Sequence, residues 1–450
     1  MRLYDALRLN QHDVVAFVGG GGKTTAMFRL ADEIVAQGGR VVTTTTTRIF
    51  AAQTRLAPYA VQLDTLEALP ELLPALLDQH PHVLLTGVVD DDSGKAFGLP
   101  TDAIEAIQAV IAPELAPIIV EADGSRMRPF KAPADHEPVI PPAASVVVPV
   151  AGVDVIGKPL DEDHVHRAGL AAGLLGVPAG APVTADMVAR LLAHEAGGRK
   201  GVPPHARWTP LINKVESGRL SDGRAVAGAL LDMHATEVLL GAAKTAVPVC
   251  ERWGRVAVVL LAAGASSRMS PQEEIKQLLP WQGVPLVAHA AGQAQASHAD
   301  ACVVVAGNQA GRVLAALAGR DVLPTVNDNW ADGQSTSVQA GLRALPEETR
   351  AAIFMLVDQP FVEAALVDAL IDEYRRSGAP IVAARAGGRR ANPVLFDIST
   401  WPSLNALSGD TGGRPLFDAY ADRIAWVDAD ERILVQIDTP ADYRRLLEMG

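Results

Sequence analysis

The run Val256–Pro280, VAVVLLAAGASSRMSPQEEIKQLLP, sets an apolar strand ahead of Leu261-Ala262-Ala263-Gly264, then Ser266, Ser267, Arg268 and, further on, Lys276. A buried strand that breaks into small residues leaves backbone N–H groups unpaired and close together, and such a nest holds an anionic phosphate chain. Arg268 and Lys276 add fixed positive charge, and with Asp358 they form the expected catalytic set. The apolar run Ile353–Val357 stops at Asp358-Gln359-Pro360, where proline fixes the turn and removes a backbone donor. Gln436-Ile437-Asp438 reads as a second short strand ending in an acid. Magnesium prefers one or two carboxylates plus phosphate oxygens, so Asp358 and Asp438 are its expected ligands. The chemistry this supports is displacement at a nucleotide's α-phosphorus, driven by alignment and charge neutralisation. Asn327–Val338 reads as a polar loop becoming a helix, with Gly333 and Ser337 placed to hold a base or ribose. A plain N-cap by Ser335 or Ser337 is the competing reading. Ala391–Phe396 and Ser408–Arg414 read as loops, either ordinary surface turns or an acceptor face carrying Asn392, Asp410 and Arg414.

A different phosphate loop opens the chain. Val14–Val18 runs into Gly19-Gly20-Gly21-Gly22-Lys23-Thr24-Thr25 and then a helical pattern, the strand, glycine loop, Lys-Thr and helix of a P-loop. Lys23 would reach the terminal phosphates, and the Thr24 hydroxyl would ligate magnesium. Phe17 stands where a leading glycine is usual, so the loop is a shortened variant. Ile118–Val120 leads into Glu121-Ala122-Asp123, carboxylates at a strand end where a magnesium-coordinating or water-orienting acid sits, with Asp123 on the nucleotide. Asn213-Lys214-Val215-Glu216 resembles the guanine-reading Asn-Lys-x-Asp of GTPases, but Glu216 replaces the acid and leaves ATP and GTP both open. Thr43–Thr47 is either a β-branched strand end or a switch-type segment. His164 and His166 read as a solvated helix start in preference to a metal pair.

These groups need rigid elements to hold them. Short Val/Ile/Leu runs alternate with Ala/Leu/Glu-rich segments, the pattern of parallel strands buried on both faces. The expected fold class is α/β, with two doubly wound, mostly parallel three-layer domains: a P-loop NTPase-like domain over 1–251 and a Rossmann-like nucleotidyltransferase domain over 252–450. The chain of 450 residues is too long for one core. A net charge of −13 without a basic stripe excludes a nucleic-acid partner. Cys250 and Cys302 are the two cysteines, too few for a disulfide framework or a cysteine-based metal site. The absence of an apolar run of membrane-spanning length gives the expectation of a cytoplasmic protein with no membrane partner.

Two resemblances follow from these motifs. Residues 10–245, with FVGGGGKTT, TTTTTRIF, VEADGSRMRPFKAPADHEPVIP and GVDVIGKPLDEDHVHR, resemble the YqeC family of accessory proteins for selenium-dependent molybdenum hydroxylases. On that likeness Lys131, His136 and Glu137 line a substrate face. Residues 255–447, with LAAGASSRM, KQLLPWQGVPLV, GQSTSVQAGL, VDQPFV, NPVLFD, SGDTGGRPLF and IDTPADY, resemble the MocA-type molybdenum cofactor cytidylyltransferases of the MobA-like group. The resemblance implies Mg²⁺, CTP as substrate (Ala263 in LAAG favouring cytidine), molybdopterin or Mo-molybdopterin as acceptor, and an apo molybdenum hydroxylase as client. Ser270 stands where glycine is usual, residues 271–275 lengthen the arm before Lys276, and Asn392-Pro393 replaces the frequent His-Pro. Two alternatives stand beside this reading: a nucleotide-dependent chaperone or insertase that binds the finished cofactor, and a cytidylyltransferase with an isoprenoid or sugar-phosphate acceptor.

Overall fold

The computed structural model describes residues 1–90, 94–111, 116–216, 218–265, 269 and 275–449, the side chains of 50–53 excepted. The chain divides into two compact units, Met1–Trp253 and Gly254–Gly450. Arg268, Ser266 and Ser267, expected on the second phosphate loop, lie outside the described residues.

The main sheet of the first unit contains Val14–Gly19 (β1), Val41–Thr45 (β2), Tyr59–Gln62 (β3), His82–Thr86 (β4), Ile118–Glu121 (β5), Val146–Gly152 (β6), Leu211–Asn213 (β7), Val238–Gly241 (β8) and Val249–Trp253 (β9). Their order is β9-β8-β7-β6-β1-β5-β2-β4-β3, with β8–β9 antiparallel and the other neighbours parallel. Successive side chains of a strand point to opposite faces. Val15 and Phe17 therefore pack with Leu30 and Ile34 of the helix Lys23–Ala36 (α1), while Val14, Ala16 and Val18 pack with Leu73, Ile104 and Ile107. Both faces are covered, giving three layers, and each of the buried Val, Leu, Ile and Phe side chains contributes roughly 1.5–3 kcal/mol. The helices Ala168–Leu175 and Ala185–Ala193 join a further cluster with Leu230 and Leu240.

One titratable group lies deep in this sheet. His82 is 1% exposed, its Nε2 sits 2.9 Å from the Thr43 hydroxyl, and its Nδ1 has no partner. Burial lowers its pKa from 6.5 to about 4. An unfolded chain takes up that proton earlier than the folded one, so stability falls as pH drops from 6.5 toward 4, by roughly 3 kcal/mol in the limit. His82→Gln is expected to flatten that part of the pH profile of the first unit's melting transition. An unchanged acid slope would show that other groups control it.

In the second unit, Arg255–Ala262 (β10), Ala301–Ala306 (β11), Leu323–Val326 (β12), Thr349–Leu356 (β13), Ile381–Ala386 (β14), Arg389–Asp397 (β15) and Ile424–Asp428 (β16) form one sheet among the described residues, ordered β12-β11-β10-β13-β15-β14-β16. β15 runs antiparallel to both neighbours, and the other pairs are parallel. Val256, Val258 and Leu260 face Leu286, Ala291 and Leu370, and Val259 faces Val303, Val338 and Phe354. The observed class is α/β with mostly parallel sheets. Among the described residues no helix is long and apolar enough to cross a membrane.

Three local expectations are corrected. Residues 391–396 are not a loop but part of β15. The pairing steps from Ala383↔Val394 to Ala384↔Ala391, so Asn392 and Pro393 fall in a bulge, which is how a central strand tolerates a proline. Asp438 does not end a strand: Gln436–Asp438 is irregular chain ahead of the helix Pro440–Met449 (α2), held by Ile437 N–H donating to the Asp358 carbonyl at 3.0 Å. His166 does not begin a helix. It is buried in the short strand Val165–His166, paired in register with Lys131, while His164 Nδ1 lies 2.7 Å from Asp161.

Candidate functional site

β10 ends at Ala262, and the carbonyls of the loop after it are drawn off by protein donors. Gln277 Nε2 donates to Ala262 O (3.2 Å) and Gly264 O (2.8 Å), and Asn308 N–H donates to Ala263 O (3.0 Å). A loop whose carbonyls are engaged elsewhere presents its N–H edge to an anion. Leu261, Ala263 and Gly264 line a cavity of about 1130 Å³ together with Lys276, Asp358, Gly333, Ser337, Asn392, Asp410 and Arg414. Most of the residues singled out in the second unit thus share one enclosure.

At one place in it the charges converge. Lys276 Nζ contacts Asp358 Oδ2 and lies 3.5 Å from Asp438 Oδ1. Asp358 comes just after the end of β13 and is 5% exposed. Its Oδ2 also accepts from Gln436 Nε2 at 3.1 Å, while its Oδ1 is buried without a partner. An ammonium standing between two carboxylates, with one buried oxygen unpaired, fits a cation site of Asp358 and Asp438. Among the described residues no group of three or more His, Cys, Asp or Glu could hold a metal ion, but two carboxylates suffice for magnesium when substrate oxygens complete the shell.

Neither Ser335 nor Ser337 caps the helix Gln334–Arg343 (α3), which starts after Gly333 with no side-chain cap; Ser337 Oγ instead accepts from Asn327 Nδ2 at 3.0 Å. A Cβ on Gly333 would overlap the backbone of Gly409 and Asp410, so this glycine lets the 408–413 loop close over the helix start. Sequence reasoning missed Arg390. It lines the same cavity 4.3 Å over the Phe417 ring, its pKa lowered by burial and by Arg414. It missed Gln277, Gln359 and Gln436 as well, since an amide carries no signal until its partners are known.

In the first unit, Gly19–Gly22 joins β1 to α1, with Gly19, Gly21 and Gly22 at positive φ. The loop amides are committed within the fold: Gly19 N–H donates to Asp123 (2.9 Å), Gly20 N–H to Val150 O (2.9 Å) and Gly21 N–H to Arg128 O (2.9 Å). Lys23 Nζ lies 2.6 Å from Gly19 O and 3.1 Å from Asp123, and Lys131 Nζ reaches the same carboxyl at 3.0 Å. Thr24 Oγ1 donates to Glu121 Oε2 at 2.7 Å, which makes Glu121, not Asp123, the acid beside the expected magnesium-ligating hydroxyl. Burial raises the Glu121 pKa against the pull of Lys23 and Thr24. Burial opposes ionisation of Glu137 too, yet hydrogen bonds from Arg167 and Lys131 bring it down to about 2. His136 is exposed. Asn213 is turned inward, its Nδ2 donating to Gly21 O (2.8 Å) and its Oδ1 accepting from Ala243 N–H (3.0 Å), and Lys214 pairs with Asp154 at 2.8 Å. Asn213 thus braces the loop in this structure. Thr44, Thr45 and Thr46 hydroxyls likewise donate to the carbonyls of Leu85, Glu121 and Val139.

Residues 15–169 match the family described as YqeC protein, and residues 258–424 match the MobA-like NTP transferase domain. Over 208 residues the chain is 35% identical to YqeC of Escherichia coli (strain K12), covering 45% of this chain and 75% of that relative. The chain belongs to the YqeC family, joined to a MobA-like NTP transferase domain. The transferase domain is also 30% identical over 196 residues to the nicotine blue oxidoreductase of Paenarthrobacter nicotinovorans, spanning 42% of this chain and 95% of that protein. A similar solved structure is Rv0371c of Mycobacterium tuberculosis H37Rv, at 27% identity and a TM-score of 0.39, covering 43% of this chain and 98% of that one.

Proposed function

We propose that the transferase domain moves a cytidylyl group from CTP to the phosphate of molybdopterin or Mo-molybdopterin with release of pyrophosphate. The P-loop of the YqeC domain binds ATP or GTP in an accessory step of molybdenum hydroxylase maturation. The meeting of Asp358 and Lys276 in the cavity lined by the glycine loop, with Asp438 3.5 Å from the same ammonium, carries this reading. Asp358 and Asp438 would hold magnesium, which when bound supplies charge neutralisation for the triphosphate. The loop after Ala262 receives the β- and γ-phosphates, with Arg268 as a further cation, and Lys276 serves the α-phosphate. Asn392, Arg414 and Asp410 face the acceptor, joined by Arg390. A phosphomonoester with a second pKa of about 6 is largely dianionic at neutral pH, so the acceptor attacks without a protein base.

Full-length protein with Mg²⁺, molybdopterin and each nucleoside triphosphate is expected to release pyrophosphate at least about tenfold faster with CTP than with GTP, a difference of about 1.4 kcal/mol in transition-state binding. No release with any nucleotide, or equal release with all, overturns the assignment. The identity to a protein named as an oxidoreductase gives a second reading, in which the cavity takes a redox substrate and leaves nucleotides intact. CTP-dependent pyrophosphate release decides between them.

A further inference from the structure

We propose that Lys276 is the cation which a divalent metal replaces: its ammonium holds Asp358 and Asp438 together before the metal arrives and is released toward the phosphates as the metal enters. The inference rests on the nucleotidyl-transfer reading of this cavity and specifies the order of events in it.

The two carboxylates come from segments far apart in the chain, yet both approach one ammonium. Like charges so placed repel unless a cation lies between them. A lysine satisfies them incompletely. Asp358 Oδ1 remains buried with no partner, although a carboxylate has about four lone-pair sites to fill. A divalent ion brings its own water and phosphate oxygens and carries twice the charge, so it matches the pair better than the ammonium does.

The backbone on the C-terminal side of Lys276 is anchored. Gln277, 1% exposed, is tied to Ala262 O and Gly264 O, and Leu279 N–H donates to Lys276 O at 3.2 Å. Exchange is therefore confined to one flexible four-carbon side chain, and the glycine loop lines the same cavity as its second station. The charge balance sets the order. With ammonium between them the two acids retain one net negative charge, which repels a triphosphate. With a divalent ion there and the lysine released, the same groups carry one net positive charge, which attracts it.

The test uses the full chain without nucleotide. Reductive methylation of lysines, read by mass spectrometry, is expected to label Lys276 several-fold faster with Mg²⁺ present than without it at equal ionic strength. Free Mn²⁺ measured by electron paramagnetic resonance is expected to show Lys276→Met binding the ion at least fivefold tighter than wild type. Equal Lys276 labelling with and without Mg²⁺, or Mn²⁺ affinity unchanged in Lys276→Met, overturns the exchange while the metal site stands. Undiminished Mn²⁺ binding in Asp358→Asn overturns the metal site itself, and the exchange with it.

Discussion

Asp358→Asn is expected to lower pyrophosphate release at least about a thousandfold, or roughly 4 kcal/mol of transition-state stabilisation, and to leave the second unit folded. The amide keeps the shape of the carboxyl but not its charge, so a cation loses one of its two anionic ligands. The amide oxygen of asparagine can still accept from Lys276 and Gln436, so the fold keeps these contacts. Oδ1 of Asp358 makes no hydrogen bond, Lys276 retains Asp438 at 3.5 Å, and Ile437 N–H still finds the carbonyl of residue 358. A coupled pyrophosphate assay beside a melting curve separates the two effects. Activity within tenfold of wild type would remove Asp358 from the chemistry, and a large drop in melting temperature would make its role structural.

Gly21→Ala is expected to be a severely damaging single-methyl change in the first unit. Gly21 sits at φ +74°, which for an alanine costs about 1–2 kcal/mol. The added Cβ would also overlap the backbone of Gly152 and come within 2.8 Å of Pro129 O, atoms that cannot rotate away. Gly38, at φ +79° with nothing within 4 Å of its would-be Cβ, carries the backbone cost alone. Gly21→Ala should lower the first unit's melting temperature by about 8 °C or more and, on the proposed reading, abolish ATP or GTP binding, against about 4 °C or less for Gly38→Ala. Equal losses in the two variants would show that the close approach to β6 is unimportant.

Local patterns carried much of this structure. Val14–Val18, Leu211–Asn213 and Ala301–Ala306 are legible as strands because each is an apolar run buried on both faces. The Lys-Thr opening of α1 is legible for a similar reason, since a glycine turn and the helix after it are consecutive in the chain. What escaped depends on which strands become neighbours. Glu121 meets Thr24, and Asp123 meets Gly19, because β5 pairs with β1. Lys131 joins them from another short strand. β15 was hidden because Gly387, Gly388 and Pro393 give its surroundings the composition of a turn, and only the bulge explains how it stays in the sheet. Asp438 is in the expected company for a reason the sequence misstated: a single backbone hydrogen bond from Ile437 to residue 358, not strand pairing, brings it there.

The Asp123 carboxyl, clasped by the Gly19 amide, Lys23 and Lys131, leaves the proposed phosphate loop of the first unit self-neutralised. Any incoming anion has to evict a partner already present, and gains only the difference between itself and that partner. A monophosphate, little more charged than the carboxylate, gains almost nothing, whereas a triphosphate outbids it. On the proposed reading, such a loop would sort ligands by valence before any base is read, and would stay assembled with nothing bound.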